Sequence, residues 1–270
     1  MSDWRSYDGV AATYERVHAP RFLAQLVAGG LVLTWCSPLW QEAKRSYFTI
    51  YGAIATVLFA LPSWLIARAS ADGSVEADRV VTLALVTLAL LAVGTLCAFR
   101  RWWPAARALG FASTVAAVAT LLSFTPLGDR GTAPSVVQLV AGAAFLGASY
   151  DALFLGHWYL TDRKLTRRPI LRYTVAMIVA SAVEVVVIAV TGFSGGRVSG
   201  SLNPILAAGD VAPWIGVGMA VATLLIAVMA RAALRGERAS AVQSATGFFY
   251  LGVITALVAA IAVTTRFFPA

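Results

Sequence analysis

The sequence predicts an all-α, polytopic bundle of helices integral to a membrane. Three observations predict it. Of the 270 residues, 59% are hydrophobic and 13% charged, whereas soluble domains carry roughly a quarter charged residues. About eight apolar runs each approach the roughly 20 residues needed to cross about 30 Å of hydrocarbon. They fall at 22–40, 47–68, 80–98, 108–127, 138–160, 170–192, 213–230 and 245–265, and no segment between them is large enough for a soluble domain.

The chain opens with a tail, 1–21, in which Trp4, Tyr7, Ala11, Tyr14 and Val17 recur at helical steps between charged residues. That spacing predicts an amphipathic helix. Arg5, Arg16 and Arg21 offset Asp3, Asp8 and Glu15, so attraction to anionic lipid is weak and Trp4, Tyr7 and Tyr14 are expected to dock on a protein partner. The tail lacks the short apolar core of a cleaved signal peptide. Tyr7 to Tyr14 resembles the leading helix of class I methyltransferases that use S-adenosylmethionine. The strand and glycine-rich turn that hold the cofactor in that family do not follow, so no activity is carried over.

The first span is the weakest, with Gln25 inside it and Ser37-Pro38 near its end. If it lay in the membrane interface instead, the count would be seven. The next three spans are almost purely apolar. Trp40, Trp64, Trp102, Trp103, Trp158 and Trp214 fall near span ends, where indole rings are expected to anchor at the interface.

The fifth and sixth spans carry the costly residues. Asp151 and Glu184 are ionisable groups near the middle of each, and intramembrane ionisable residues mark functional sites by default. Asp151 continues a small-residue stripe from Ala143 and Gly147, which lets helices approach closely. Glu184 shares a face with Ser181 and Thr191. A short loop joins the two spans, so a hairpin is expected to place the carboxyls about 7 Å apart along the membrane normal. Asp151, Glu184 and Ser181 are the candidate intramembrane polar or proton site. His157, Trp158 and Tyr159 at the end of the fifth span are a candidate site for a ligand or headgroup.

The loop after the sixth span contains Asn203-Pro204, which resembles the Asn-Pro-Ala turn of aquaporin-type channels. That family needs two such turns, and Ile205 stands where alanine belongs, so the segment reads as a surface turn. The seventh and eighth spans are again apolar. Grouped by fours, the spans give halves at 22–127 and 138–265. Arg45-Ser46-Tyr47-Phe48-Thr49 at the second span is echoed by Leu171-Arg172-Tyr173-Thr174 at the sixth, which would suit a parallel duplication within one transmembrane domain.

The net charge of +8 reports basic loops beside anionic lipid, not a nucleic-acid partner. Thirteen of the 21 basic residues lie in the loops after odd-numbered spans, which places that side in the cytoplasm. A bacterial cytoplasmic membrane is the expected location. His18 and His157 are the two histidines and Cys36 and Cys97 the two cysteines, too few for a metal cage, a bis-histidine haem or a CxxC redox pair.

No metal-binding motif or Ser/His/Asp constellation indicates catalysis. The leading expectation is a non-enzymatic accessory or scaffold subunit of a larger membrane complex, of the electron-transfer or photosynthetic kind. It would hold lipid, quinone or pigment between helices. The alternative is a proton- or cation-coupled transporter using Asp151 and Glu184.

Overall fold

A chain in hydrocarbon must satisfy its own backbone, which a helix does within a single segment. The computed structural model describes residues 19–69, 75–125, 131–162, 165–193, 211–236 and 240–267. Among these residues there are helices and no strand. The tail and its docking residues Trp4, Tyr7 and Tyr14 lie outside the described residues, as does Asn203-Pro204.

The helices are α1 (Ala19–Cys36), the single turn α2 (Leu39–Glu42), α3 (Arg45–Ala69), α4 (Val75–Phe99) and α5 (Trp103–Ser123). They continue with α6 (Thr132–Thr161), α7 (Arg168–Thr191), α8 (Val211–Ala233) and α9 (Ser240–Phe267). The seven from α3 to α9 are long and apolar enough to cross a membrane. Their outer faces are apolar, with Val57, Val115 and Val190 each 71% exposed. Such a surface suits hydrocarbon, so this is an integral membrane protein.

The first run behaves differently from the interfacial alternative. α1 has 18 residues and includes Gln25, yet every residue from Ala24 to Leu31 is buried. It packs against α3, α5 and α6 in the interior of the bundle. A helix sheathed by protein needs no apolar coat of its own, so hydropathy underrates it.

Two rings of four helices make up the bundle. α1, α3, α4 and α5 each pack on the next, and α5 closes back on α1. α6, α7, α8 and α9 do the same, with α9 closing on α6. The rings meet chiefly along α1 and α6. Gln25 lies beside Gln138 and Thr34 beside Asp151, so these two helices run in the same direction.

The rings also share internal detail. On α4 the buried positions include 80, 84, 87, 91, 94 and 98, with 97 beside them; on α8 and just beyond it they include 216, 220, 223, 227, 230 and 234, at the same spacing, with 212 and 213 before them. Thr87 of α4 bonds Thr120 of α5 at 3.0 Å, and Thr223 of α8 bonds Thr255 of α9 at 2.7 Å.

One end of the bundle is tied by its basic loops. Lys44 pairs with Asp162 at 3.0 Å, Arg172 pairs with Glu42, and Arg167 donates to the Gly236 carbonyl. Trp64, Trp102 and Trp214 are exposed, as interfacial anchors should be, but Trp40 is buried and Trp158 packs inward on Tyr47.

Candidate functional site

The small-residue stripe on α6 determines how closely α1 can approach. A Cβ added to Gly29 would stand 1.8 Å from the Ala143 carbonyl oxygen, and one added to Gly147 would stand 2.3 Å from the Gly29 carbonyl carbon. The two backbones therefore touch, which only glycine at both positions permits. Asp151 lies one turn beyond Gly147 and is fully buried. Thr34 of α1 donates to its Oδ2 at 3.1 Å, and Tyr51 of α3 donates to its Oδ1 at 2.8 Å. Three helices from both rings thus converge on one carboxyl group.

Aromatic rings enclose this centre. Tyr47 stacks on Tyr51 with centroids 5.9 Å apart and meets Phe154 edge-on at 5.1 Å. Tyr150 lies 6.1 Å from Tyr51, and the Tyr47 hydroxyl is buried without a partner. From α7, Tyr173 donates to the Leu33 carbonyl at 2.9 Å. Asp151, with a donor on each oxygen, works as a polar staple in the seam between the rings.

Glu184 is 1% exposed on α7. Gln138 of α6 donates to its Oε1 at 2.8 Å. Gln25 of α1 donates to the carbonyls of Leu139 at 3.2 Å and Gln138 at 3.4 Å. Three buried oxygens here have no hydrogen-bond partner: Glu184 Oε2, Gln138 Oε1 and Ser135 Oγ. Ser135 lies one turn before Gln138 on the same face of α6. The charged residue at this level of α1 is Arg21, one turn before Gln25, 3% exposed, with its guanidinium 5.7 Å from the centre of the Phe124 ring. Ser181 is buried one turn from Glu184, but its hydroxyl is held by the Met177 carbonyl of its own helix.

Buried polar atoms without partners are costly and call for an explanation. A carboxylate can take up a proton, and carboxylate, amide and hydroxyl oxygens can bond a water or ligate a hard cation.

The two carboxyls do not form the close pair expected from the hairpin. Glu184 bonds Gln138, which is about 20 Å along α6 from Asp151 at 1.5 Å per residue. On α7, Tyr173, which bonds the Leu33 carbonyl next to Thr34, lies about 16 Å along the helix from Glu184. The chain between α6 and α7 explains the difference. Tyr159 donates to the Thr166 carbonyl, so Thr166 already lies back beside the last turn of α6 before α7 begins. A tight turn would have kept the helix ends level.

His157, Trp158 and Tyr159 do not converge on one space, because successive helical positions project about 100° apart. His157 lies 3.4 Å from the Tyr250 hydroxyl of α9, Trp158 faces Tyr47 of α3, and Tyr159 turns to the loop. The partners Thr34, Tyr51 and Ser135 are neutral residues with little signal in hydropathy, and Gln138 sits at the start of its apolar run, where a polar residue is ordinary. Gln25, noted as a flaw in an apolar run, was the visible pointer to them. Comparisons with family models, curated proteins and solved structures found no match.

Proposed function

We propose that this integral membrane protein is a transporter whose coupling ion, a proton or a monovalent cation, binds at Glu184 with Gln138 and Ser135. The three partnerless oxygens buried on α6 and α7 carry the reading. They lie within a bundle exposing apolar helices to lipid, where an ionisable group marks an ion path by default.

We further infer that the rings are two copies of one four-helix unit within a single transmembrane domain, spanning 22–127 and 138–265. The parallel course of α1 and α6, the matched buried positions of α4 and α8, and the paired threonines support it. Transporters built from parallel repeats bind their ions and substrates at the interface between repeats. The Gln25, Gln138 and Glu184 network joins α1, α6 and α7 at that interface.

A hydrophobic carbodiimide, which attacks protonated carboxyls within lipid, tests the reading on the full chain in liposomes. Glu184 is expected to be labelled and Asp151 spared. Sodium or potassium protecting Glu184 would identify a cation site, and protection by alkaline pH alone would identify a proton site. Equal labelling of both acids, or none at Glu184, overturns it.

A second reading is the accessory subunit holding lipid, quinone or pigment between helices. The backbone contact at Gly29 and Gly147 favours it, because that contact gives the rings no room to hinge against each other. Deleting residues 1–20 would then release the bundle from a larger assembly on a native gel. Unchanged migration would leave transport as the reading.

A further inference from the structure

At the end of the bundle tied by basic loops, the starts of two helices converge on a groove of about 500 Å³. Trp40, Arg45, Trp103, Arg107 and Phe111 are among the residues that line it. Arg45 is the first residue of α3, and Trp103-Pro104 opens α5. Both helix starts line the groove, and a helix start carries the positive end of its dipole, a setting that favours an anion.

The side chains reinforce this. The Arg45 guanidinium carbon stands 4.0 Å from the centre of the Trp40 ring, and Arg45 also donates to the Trp40 carbonyl at 2.6 Å. The Arg107 guanidinium stands 5.6 Å from the same ring and 5.7 Å from the Phe111 ring. Two guanidiniums thus lie within about 10 Å of each other on one indole. The acids in this region are otherwise engaged: Glu42 pairs with Arg172 and Asp162 with Lys44. Among the described residues no carboxylate pairs with Arg45 or Arg107. The groove also has an apolar exit, because Phe111 is exposed on the lipid-facing side of α5.

We propose that this groove binds a phosphate group, supplied by the headgroup of an anionic phospholipid whose acyl chains run down past Phe111. Arginine forks match phosphate oxygens bidentately. Indole rings hold the boundary between headgroup and chain. The site is separate from Glu184 and does not depend on transport.

Native mass spectrometry of the detergent-purified full chain tests it with three probes: phosphatidylglycerol, phosphatidylcholine and inorganic phosphate. Phosphatidylglycerol is expected to be retained about tenfold better than phosphatidylcholine and to resist millimolar phosphate. The Arg45→Gln/Arg107→Gln double variant should lose about tenfold in retention, while Arg100→Gln on the same surface keeps it. A melting curve matching wild type would show the double variant folded; if it is not, the Arg107→Gln single variant provides the same comparison. Equal retention of the two lipids, or retention indifferent to the arginines, overturns the site. Displacement of phosphatidylglycerol by inorganic phosphate overturns the lipid as its source.

Discussion

Asp151 and Glu184 are the same chemistry at nearly the same burial, on adjacent helices, and their carboxyl oxygens are partnered differently. Asp151 has a donor on each oxygen, from Thr34 and Tyr51, with α1, α3 and α6 all drawn to it. Glu184 has one donor, Gln138, on one oxygen and none on the other, and the Gln138 amide oxygen and the Ser135 hydroxyl are likewise without partners. Burial of a carboxyl in a membrane therefore identifies two kinds of site. A saturated one holds helices together, and an unsaturated one is available to something that comes and goes.

The largest test removes the ground on which both centres stand. Gly147→Val would force side-chain atoms into the α1 backbone, and a loss above about 4 kcal/mol is expected, read as failure to resist unfolding in mixed detergent micelles. Asp151→Ala comes next. It strands the Thr34 and Tyr51 hydroxyls and should cost about 2–3 kcal/mol, measured by the same unfolding assay. An unaltered midpoint would remove the staple from the comparison. Tyr51→Phe deletes one of the two bonds and should cost about 1 kcal/mol. Glu184→Gln is the smallest in stability, within about 0.5 kcal/mol, because the replacement keeps an acceptor for Gln138. The same variant should abolish any ion-dependent protection or flux in liposomes. If it destabilises as much as Asp151→Ala, Glu184 is a second staple and the contrast disappears.

The outer helices were legible in the sequence because lipid contact writes itself into hydropathy. α7, with Val175, Val179, Val183, Val186 and Val190 all exposed, could hardly be misread. α1 was ambiguous for the opposite reason: shielded by protein, it can carry Gln25 and Thr34 where a lipid-facing helix could not. Asp151 and Glu184 stood out by their cost in hydrocarbon, and the Ala143–Gly147 stripe correctly indicated a close helix contact. Their separation was not legible. It depends on where Thr166, whose carbonyl accepts from Tyr159, sits against the end of α6, a matter of loop geometry that no periodicity records. Gln138, Ser135 and Tyr51 were passed over because single neutral polar residues in a span are common and individually cheap.

The enclosure of α1 has a consequence for how the protein is made. Gln25 finds its hydrogen-bond partners at Gln138 and Leu139, separated from it by 113 and 114 positions in the chain. At roughly 5–20 residues per second, a ribosome needs on the order of 6–20 s to deliver them. Throughout that interval α1 has been made while the helix that shields its glutamine has not yet been synthesised. The buried setting of α1 is therefore incomplete until α6 arrives.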